Sequence, residues 1–234
     1  MYEKIFKRLI DIVLSFTALI VLSPVILLLS LIGAIIMKGN PFFLQPRPGK
    51  KLKTGNEKIF KLIKFRTMSN KKDQSGNLLP DCYRITKYGS WLRSTSLDEL
   101  PSLLNILFSD ISFVGPRPFL VRDCVFMSYE QRKRHNVKPG LTGFAQVNGR
   151  NNISWEKKIE YDLYYINKGI TFFGDMVIIL KTIIKVFKRS DITRNGTVSD
   201  IDYGDWLLMN GKIDIDTYTR KLKEAEKKLK RGMM

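Results

Sequence analysis

The stretch IVLSFTALIVLSPVILLLSLIGAIIM, residues 12–37, runs for 26 positions without a charge and governs how the rest of the chain is read. As helix it measures ~39 Å at ~1.5 Å per residue, against a hydrocarbon core of about 30 Å. It is long enough to cross a bilayer. A basic lead (Lys4, Lys7, Arg8) lends it the look of a secretory signal. The run is too long for an ordinary signal core, and Lys38-Gly39-Asn40-Pro41 offers no small-residue cleavage site.

A simple transmembrane span is the stronger competitor, and two features oppose it. Both flanks are basic: from Lys38 to Lys72 there are 11 Lys/Arg and one acid, Glu57, a local net charge of +10. The positive-inside tendency holds both flanks on the cytoplasmic side. Ser23-Pro24 then falls in mid-run, where proline removes a backbone donor and predicts a kink. A kinked re-entrant helix that enters and leaves by one face satisfies both features, with Ser23 available to bond a freed carbonyl. Proline kinks also occur in true spans, so the residues alone favour the re-entrant form only modestly.

The 234 residues carry 40 Lys+Arg against 22 Asp+Glu, a net charge of +18, and 44 % are hydrophobic. That composition supports a sizeable core and excludes wholesale disorder. The charge calls for an anionic partner: nucleic acid, an acidic membrane surface or a phosphorylated substrate. Cys82 and Cys124 do not make a disulfide scaffold, and a lone His135 leaves too few ligands for structural zinc.

Beyond the apolar run, Pro41–Gly55 reads as loop, punctuated by Pro46, Pro48, Gly49 and Gly55. Lys58–Phe65 is β-branched and aromatic, a short strand that would set Lys64 and Arg66 on one side. Ser96 and Glu99 match a capping box opening a helix to about Phe108, with Leu100, Leu103, Leu104 and Leu107 on one side. Tyr129–His135 and Trp155–Lys168 are candidate helices. Phe172–Phe187 is an apolar helix with Lys181 and Lys185 on one face, equally a membrane-interface helix or a core helix with a solvated stripe. Tyr218–Arg231 is a charged, helical tail.

Several constellations can carry chemistry. Asp98-Glu99 has an ordinary explanation, acids complementing a helix dipole. The basic company of Arg84, Lys87, Arg93 and Arg117 adds weight to another that stays open beside it, a carboxylate that holds a divalent cation and attacks phosphorus. In Gly115-Pro116-Arg117-Pro118, prolines on both sides fix the backbone around one phosphate-suited guanidinium. Gly140-Leu-Thr-Gly143 runs into Gln146 and Arg150, which can read a base or a phosphate. His135 among Arg132, Lys133 and Arg134 is more often structural than a general base. Arg47-Pro-Gly-Lys50 lacks P-loop spacing.

Together the motifs and their order resemble the bacterial sugar transferase family, the monotopic phosphoglycosyl transferases, in its compact PglC-like form. The carrying residues are the basic-flanked run with Ser23-Pro24, Gln45-Pro-Arg-Pro-Gly49, Lys64-Phe-Arg-Thr-Met68 and Arg93-Ser-Thr-Ser-Leu-Asp-Glu-Leu-Pro101. They continue with Asp110-Ile-Ser-Phe-Val-Gly-Pro-Arg-Pro118 and Lys138-Pro-Gly-Leu-Thr-Gly-Phe-Ala-Gln-Val-Asn-Gly-Arg150, so the likeness covers about residues 1–190. The resemblance implies transfer of a phospho-sugar from a UDP-sugar to polyprenyl phosphate at the cytoplasmic face of the bacterial inner membrane, with release of UMP. It implies Mg²⁺ at Asp98, a covalent intermediate on Asp98, and Glu99 as its orienting or deprotonating neighbour. Matching positions suggest Lys64, Arg93 and Arg117 as phosphate contacts, with Gln146 and Arg150 on the nucleotide side. It also supports the re-entrant helix, and compact members suggest an N-acetylated amino sugar.

The expectation is thus a helix-rich α/β protein with few strands, interfacial amphipathic helices and three parts. These are an anchor at 1–40, a cytoplasmic catalytic domain at 41–190 and a polar extension at 191–234. Its partners are a UDP-sugar, polyprenyl phosphate and an anionic membrane surface, with a homo-oligomer left open and no nucleic acid. A non-enzymatic membrane-surface adaptor would leave Asp98-Glu99 and the proline-locked Arg117 unexplained. A nucleic-acid binder would have no use for the apolar run.

Overall fold

The computed structural model describes residues 2–149, 153–188 and 201–232. After a π-helical turn, Tyr2–Phe6, helix α1 runs from Lys7 to Met37, followed by the strands β1 (Phe42–Lys51) and β2 (Glu57–Phe65). Helices α2 (Asp81–Arg84) and α3 (Lys87–Ser94) lead to a 3-10 turn, Leu97–Ser102, and α4 (Leu103–Leu107). Then come β3 (Ser112–Val114), α5 (Val121–Cys124), a second 3-10 turn (Gln131–Asn136), β4 (Gly140–Thr142) and α6 (Phe144–Val147). Helices α7 (Trp155–Asn167), α8 (Phe172–Lys188), α9 (Tyr203–Met209) and α10 (Ile215–Gly232) complete the described chain. The fold is helix-rich with few strands, as expected.

α1 lies along the domain by one stripe. Asp11, Ser15, Leu29 and Gly33 are buried, and Ala18, Leu19 and Leu22 pack on Phe60, Leu62, Leu103, Ile106 and Ile111. Ile26 and Leu29 continue the stripe onto Phe65 and Leu92. The three-and-four spacing is that of one helix face. The other faces expose apolar side chains, Val21 at 68 % and Ile35 at 77 %. Polar groups fix the N-terminal end: Arg8 donates to the Ile106 and Leu107 carbonyls at 2.6 and 2.7 Å, supplying donors to the end of α4. Asp11 Oδ1 accepts from Ser112 Oγ and Phe113 N at 3.1 and 3.0 Å. The helix continues as one element through Pro24. Ser23 Oγ donates at 2.7 Å to the Ile20 carbonyl, the acceptor that the proline's missing N–H leaves over.

Three local expectations need correction. Pro41–Gly55 is largely strand: β1 pairs antiparallel with β2, Phe42 opposite Phe65 and Pro48 opposite Ile59. The sheet has only two strands, so one side of β1 is an edge. Pro46 and Pro48, two residues apart, turn their donor-less nitrogens to that open side at no cost to the ladder. The expected capping box does not form: Ser96 takes a left-handed φ of 58°, and Leu97–Ser102 winds as 3-10 before α4 begins. Tyr129–His135 likewise becomes the 3-10 turn Gln131–Asn136.

The expected strand at Lys58–Phe65 and helices at Trp155, Phe172 and Tyr218 are present within a few residues of their predicted ends. The uncovered side of α8 is apolar, with Phe173, Val177, Leu180 and Ile184 exposed. It is therefore not a core helix with a solvated stripe.

α9 and α10 pack back onto α5 and β2. Tyr203 and Leu207 enter a core with Phe119, Cys124, Met127, Trp155 and Ile159. Buried Glu57 binds Arg132 through two nitrogens at 2.6–2.8 Å and Lys228 of α10 at 3.0 Å. Burial alone would raise the Glu57 pKa; Arg132 and Lys228 overcome it and hold it at about 2. A carboxylate depressed in this way contributes stability above its ordinary value of 4.5, and loses it as pH falls toward about 2. Glu57→Gln is expected to cost about 2 kcal/mol in urea unfolding at pH 7. The gap between variant and parent should narrow between pH 4.5 and 3. A gap that stays constant with pH would contradict this account.

Candidate active site

The end of β2 is stitched to the turn that follows α3. Ser102 Oγ donates to the Ile63 carbonyl at 2.7 Å, and Asn105 Oδ1 accepts from Ile63 N at 2.9 Å. Asn105 Nδ2 donates to the Lys61 carbonyl at 2.9 Å, so α4 covers this strand edge with side-chain bonds. These bonds set Asp98 and Glu99 beside Lys64. From the other side, β3 pairs parallel with β4 and delivers the Gly115–Pro118 loop. The two strands meet where a Cβ on Gly140 would stand 2.1 Å from Gly115 N, an approach open only to glycine.

Glu99 is the centre of the cluster. Its Oε1 accepts from Lys64 Nζ at 2.6 Å and from Arg117 Nη2 at 2.7 Å. Asp98 Oδ2 lies 4.0 Å from Lys64 Nζ, and its side chain is 14 % exposed. Arg93, on α3, donates from Nε to Thr67 Oγ1 at 3.1 Å and acts on Asp98 electrostatically. Lys64, Arg93 and Arg117 against Asp98 and Glu99 leave a local charge of 3 − 2 = +1 when all are ionised. Such a pocket favours an incoming anion.

The two carboxylates are pushed apart. Burial would raise the Glu99 pKa, but Arg117 and Lys64 together hold it well below the usual carboxylate range. Asp98 goes the other way: burial raises its pKa and the Glu99 charge adds to the rise, against Lys64, Arg93 and Arg117. Burial lowers the Lys64 pKa, with Glu99 opposing, whereas the Glu99 charge raises that of Arg117. Neighbouring acids separated in this way take different tasks. Glu99 is the fixed counter-charge, and Asp98 is the adjustable group.

Of the residues singled out in the sequence, Lys64, Arg93, Asp98, Glu99 and Arg117 lie together here. Gln146 is not among them: its Nε2 donates to the Leu141 carbonyl at 3.2 Å, and its buried Oε1 has no hydrogen-bond partner among the described residues. Arg150 lies outside the described residues. Arg66, expected beside Lys64, turns back to the Met68 carbonyl at 3.1 Å. His135 is buried against Cys124 Sγ at 3.5 Å, and burial with the Arg134 charge holds its pKa near 3. It is a neutral core residue.

Arg47 is the residue that sequence reasoning passed over. It lines a small cavity with Glu99 and Arg117 and donates from Nη1 to the Pro118 carbonyl at 2.9 Å. A signal existed in the sequence: Pro46-Arg47-Pro48 duplicates Pro116-Arg117-Pro118, and the two triplets meet here.

Among the described residues no three His, Cys, Asp or Glu side chains gather as a self-sufficient metal cage. What the cluster offers is a hard oxygen donor, Asp98, within an anion-binding pocket. Asp98 is the side chain that would hold a hard divalent cation such as Mg²⁺, which would supply charge neutralisation there.

The profile of the family described as "Bacterial sugar transferase" matches residues 2–189. "Uncharacterized sugar transferase EpsL" of Bacillus subtilis (strain 168) is 45 % identical over 196 residues, which cover 83 % of this chain and 94 % of that protein. A "UDP-glucose:undecaprenyl-phosphate glucose-1-phosphate transferase" of Klebsiella pneumoniae is 41 % identical over 193 residues, 78 % of this chain but 40 % of its own length. The Escherichia coli (strain K12) protein of the same name is 37 % identical over 195 residues, and the chain spans 41 % of it. The chain belongs to the bacterial sugar transferase family.

Proposed function

We propose that this protein transfers a sugar-1-phosphate from a UDP-sugar to a polyprenyl phosphate such as undecaprenyl phosphate, releasing UMP. The observation that carries the reading is the Asp98–Glu99 pair, split in acidity and set among Lys64, Arg93 and Arg117. An anionic nucleophile can approach an anionic diphosphate only where fixed cations offset the repulsion. The Asp98 carboxylate oxygen bonds to the β-phosphorus, and the bond from that phosphorus to the bridging oxygen breaks, so the electron pair leaves on UMP. A polyprenyl phosphate oxygen then bonds to the same phosphorus and displaces Asp98, giving polyprenyl diphosphate sugar. Lys64, Arg93 and Arg117 hold phosphate oxygens, and Glu99 keeps two of these cations charged and aimed. Gln146 and Arg150 serve the nucleotide. Mg²⁺ held by Asp98 and the phosphate oxygens would supply further charge neutralisation.

We place the enzyme on the cytoplasmic face of the bacterial inner membrane, with α1 as a re-entrant anchor and α8 in the interface. The support is that α1 touches the catalytic domain from Lys7 to Gly33 while its remaining faces expose apolar residues. A substrate with one end in lipid and one in water suits a protein seated on one leaflet. The sugar is assigned to a panel. The likeness to PglC-like members suggests an N-acetylated amino sugar, whereas two of the named relatives, from Klebsiella pneumoniae and Escherichia coli, are UDP-glucose:undecaprenyl-phosphate glucose-1-phosphate transferases.

UMP release from UDP-hexoses and UDP-N-acetylated amino sugars, with short-chain polyprenyl phosphate and Mg²⁺, is the direct assay. Asp98→Asn is expected to lower it by at least about 10³-fold. An Asp98→Asn protein as active as its parent, or silence across the panel, would move the adaptor reading forward.

Glu99→Gln yields a separate expectation. Loss of its charge removes one cause of the raised Asp98 pKa, so the acid limb of kcat/KM should move to lower pH. The maximal rate should fall about 10²-fold as Lys64 and Arg117 lose their anchor. An acid limb left at the parental pH would contradict the assignment.

A further inference from the structure

Arg117 reaches Glu99 from a loop, and its side chain is 39 % exposed. An exposed arginine on a surface loop ordinarily samples many rotamers. Here its backbone is gripped from beneath. Arg134, fully buried, donates from Nη2 to the Arg117 carbonyl at 2.6 Å. The next carbonyl, that of Pro118, is taken by Arg47. Arg134 is itself held by Asp162 of α7, which accepts from Nε and Nη2 at 3.0 and 2.6 Å with both side chains 1 % exposed. The guanidinium plane also lies 3.7 Å from the centroid of the Phe119 ring, the residue that follows the loop.

A buried ion pair of this kind is weak evidence of stabilisation, since desolvating two charges offsets most of their attraction. Apolar side chains would fill the same space as well. What the pair adds is geometry. A planar fork serves a carboxylate and a carbonyl at once, in fixed directions, which neither lysine nor an apolar residue can do.

Resting on the proposed function, we propose that Arg134, oriented by Asp162, is a positioning residue that aims Arg117 at the reacting phosphate. Pro116 and Pro118 limit the loop's φ angles, and Arg134 fixes the peptide between them. With both in place, the Arg117 side chain leaves the backbone toward Glu99 without a search. An error of about 1 Å in such a clamp is enough to cost up to about 10²-fold in rate.

The test is a double-mutant cycle on the full chain in detergent or nanodiscs, using Arg134→Lys, Arg117→Ala and both together. Arg134→Lys should lower kcat/KM for UMP release about tenfold when Arg117 is present, and by no more than about twofold when it is absent. Effects that multiply in the double variant would overturn the proposal, because a merely structural role acts whether or not Arg117 is there. Should Arg134→Lys fail to fold by circular dichroism, Asp162→Asn takes its place in the same cycle.

A second readout stands apart from catalysis. Phenylglyoxal labelling of Arg117, followed by peptide mass spectrometry, should quicken several-fold in Arg134→Lys. An unchanged labelling rate would overturn the clamp. A wild type that releases no UMP, together with quickened labelling in Arg134→Lys, would instead overturn the proposed function and leave the clamp standing.

Discussion

One carboxylate oxygen ties the site together. Glu99 Oε1 receives both Lys64 and Arg117, so it joins the end of the hairpin, the 3-10 turn and the loop after β3. Two cations on one buried acid are stable only while that acid stays ionised, and the cations themselves enforce this. The adjacent Asp98 then sits in a field it did not create. Burial and the Glu99 charge raise its pKa while three cations stand nearby, which leaves it the carboxylate of the pair whose state can change. The raised pKa of Asp98 follows in part from the fixed charge at Glu99.

The anchor helix obeys a related constraint. A helix apolar all round has no preferred face, so something polar must choose one. Arg8 and Asp11 do so by bonding backbone groups of α4 and β3, while Ile26 and Leu29, farther along the helix, pack with Leu97 and Leu100 of the Asp98 turn. Leu19, Leu22, Ile26 and Leu29 then follow at helical spacing. The apolar helix and the elements that carry the Asp98 turn are therefore one packed unit.

The sequence made some of this legible and concealed the rest. Strand β2 and helices α7 and α8 could be read because their side chains match one period over many residues. Ser23 was foreseen as the partner of a freed carbonyl, and it bonds the Ile20 carbonyl. Strand β1 was hidden because Pro46 and Pro48 read as breakers until the open edge beside them is known. The capping box at Ser96 was a false local signal: Glu99 prefers two cations brought from afar, Lys64 being 35 residues upstream, to a neutral N–H nearby. Asp98, Glu99, Lys64, Arg93 and Arg117 were all named before their geometry was known. The clamp of Arg134 on Asp162, 28 residues apart, and the meeting of the two Pro-Arg-Pro triplets were not. Buried polar partners distant in sequence leave no periodic trace.

Under the proposed function, Asp98 takes the phospho-sugar onto itself before the lipid takes it away. Wild-type protein incubated with a productive UDP-sugar and Mg²⁺, without polyprenyl phosphate, would be quenched and mapped by peptide mass spectrometry. The account predicts a sugar-phosphate adduct on Asp98, roughly matched by UMP released, and its disappearance once polyprenyl phosphate is added. UMP release that strictly requires the lipid acceptor, with no adduct on Asp98, would mean direct one-step transfer and would contradict it.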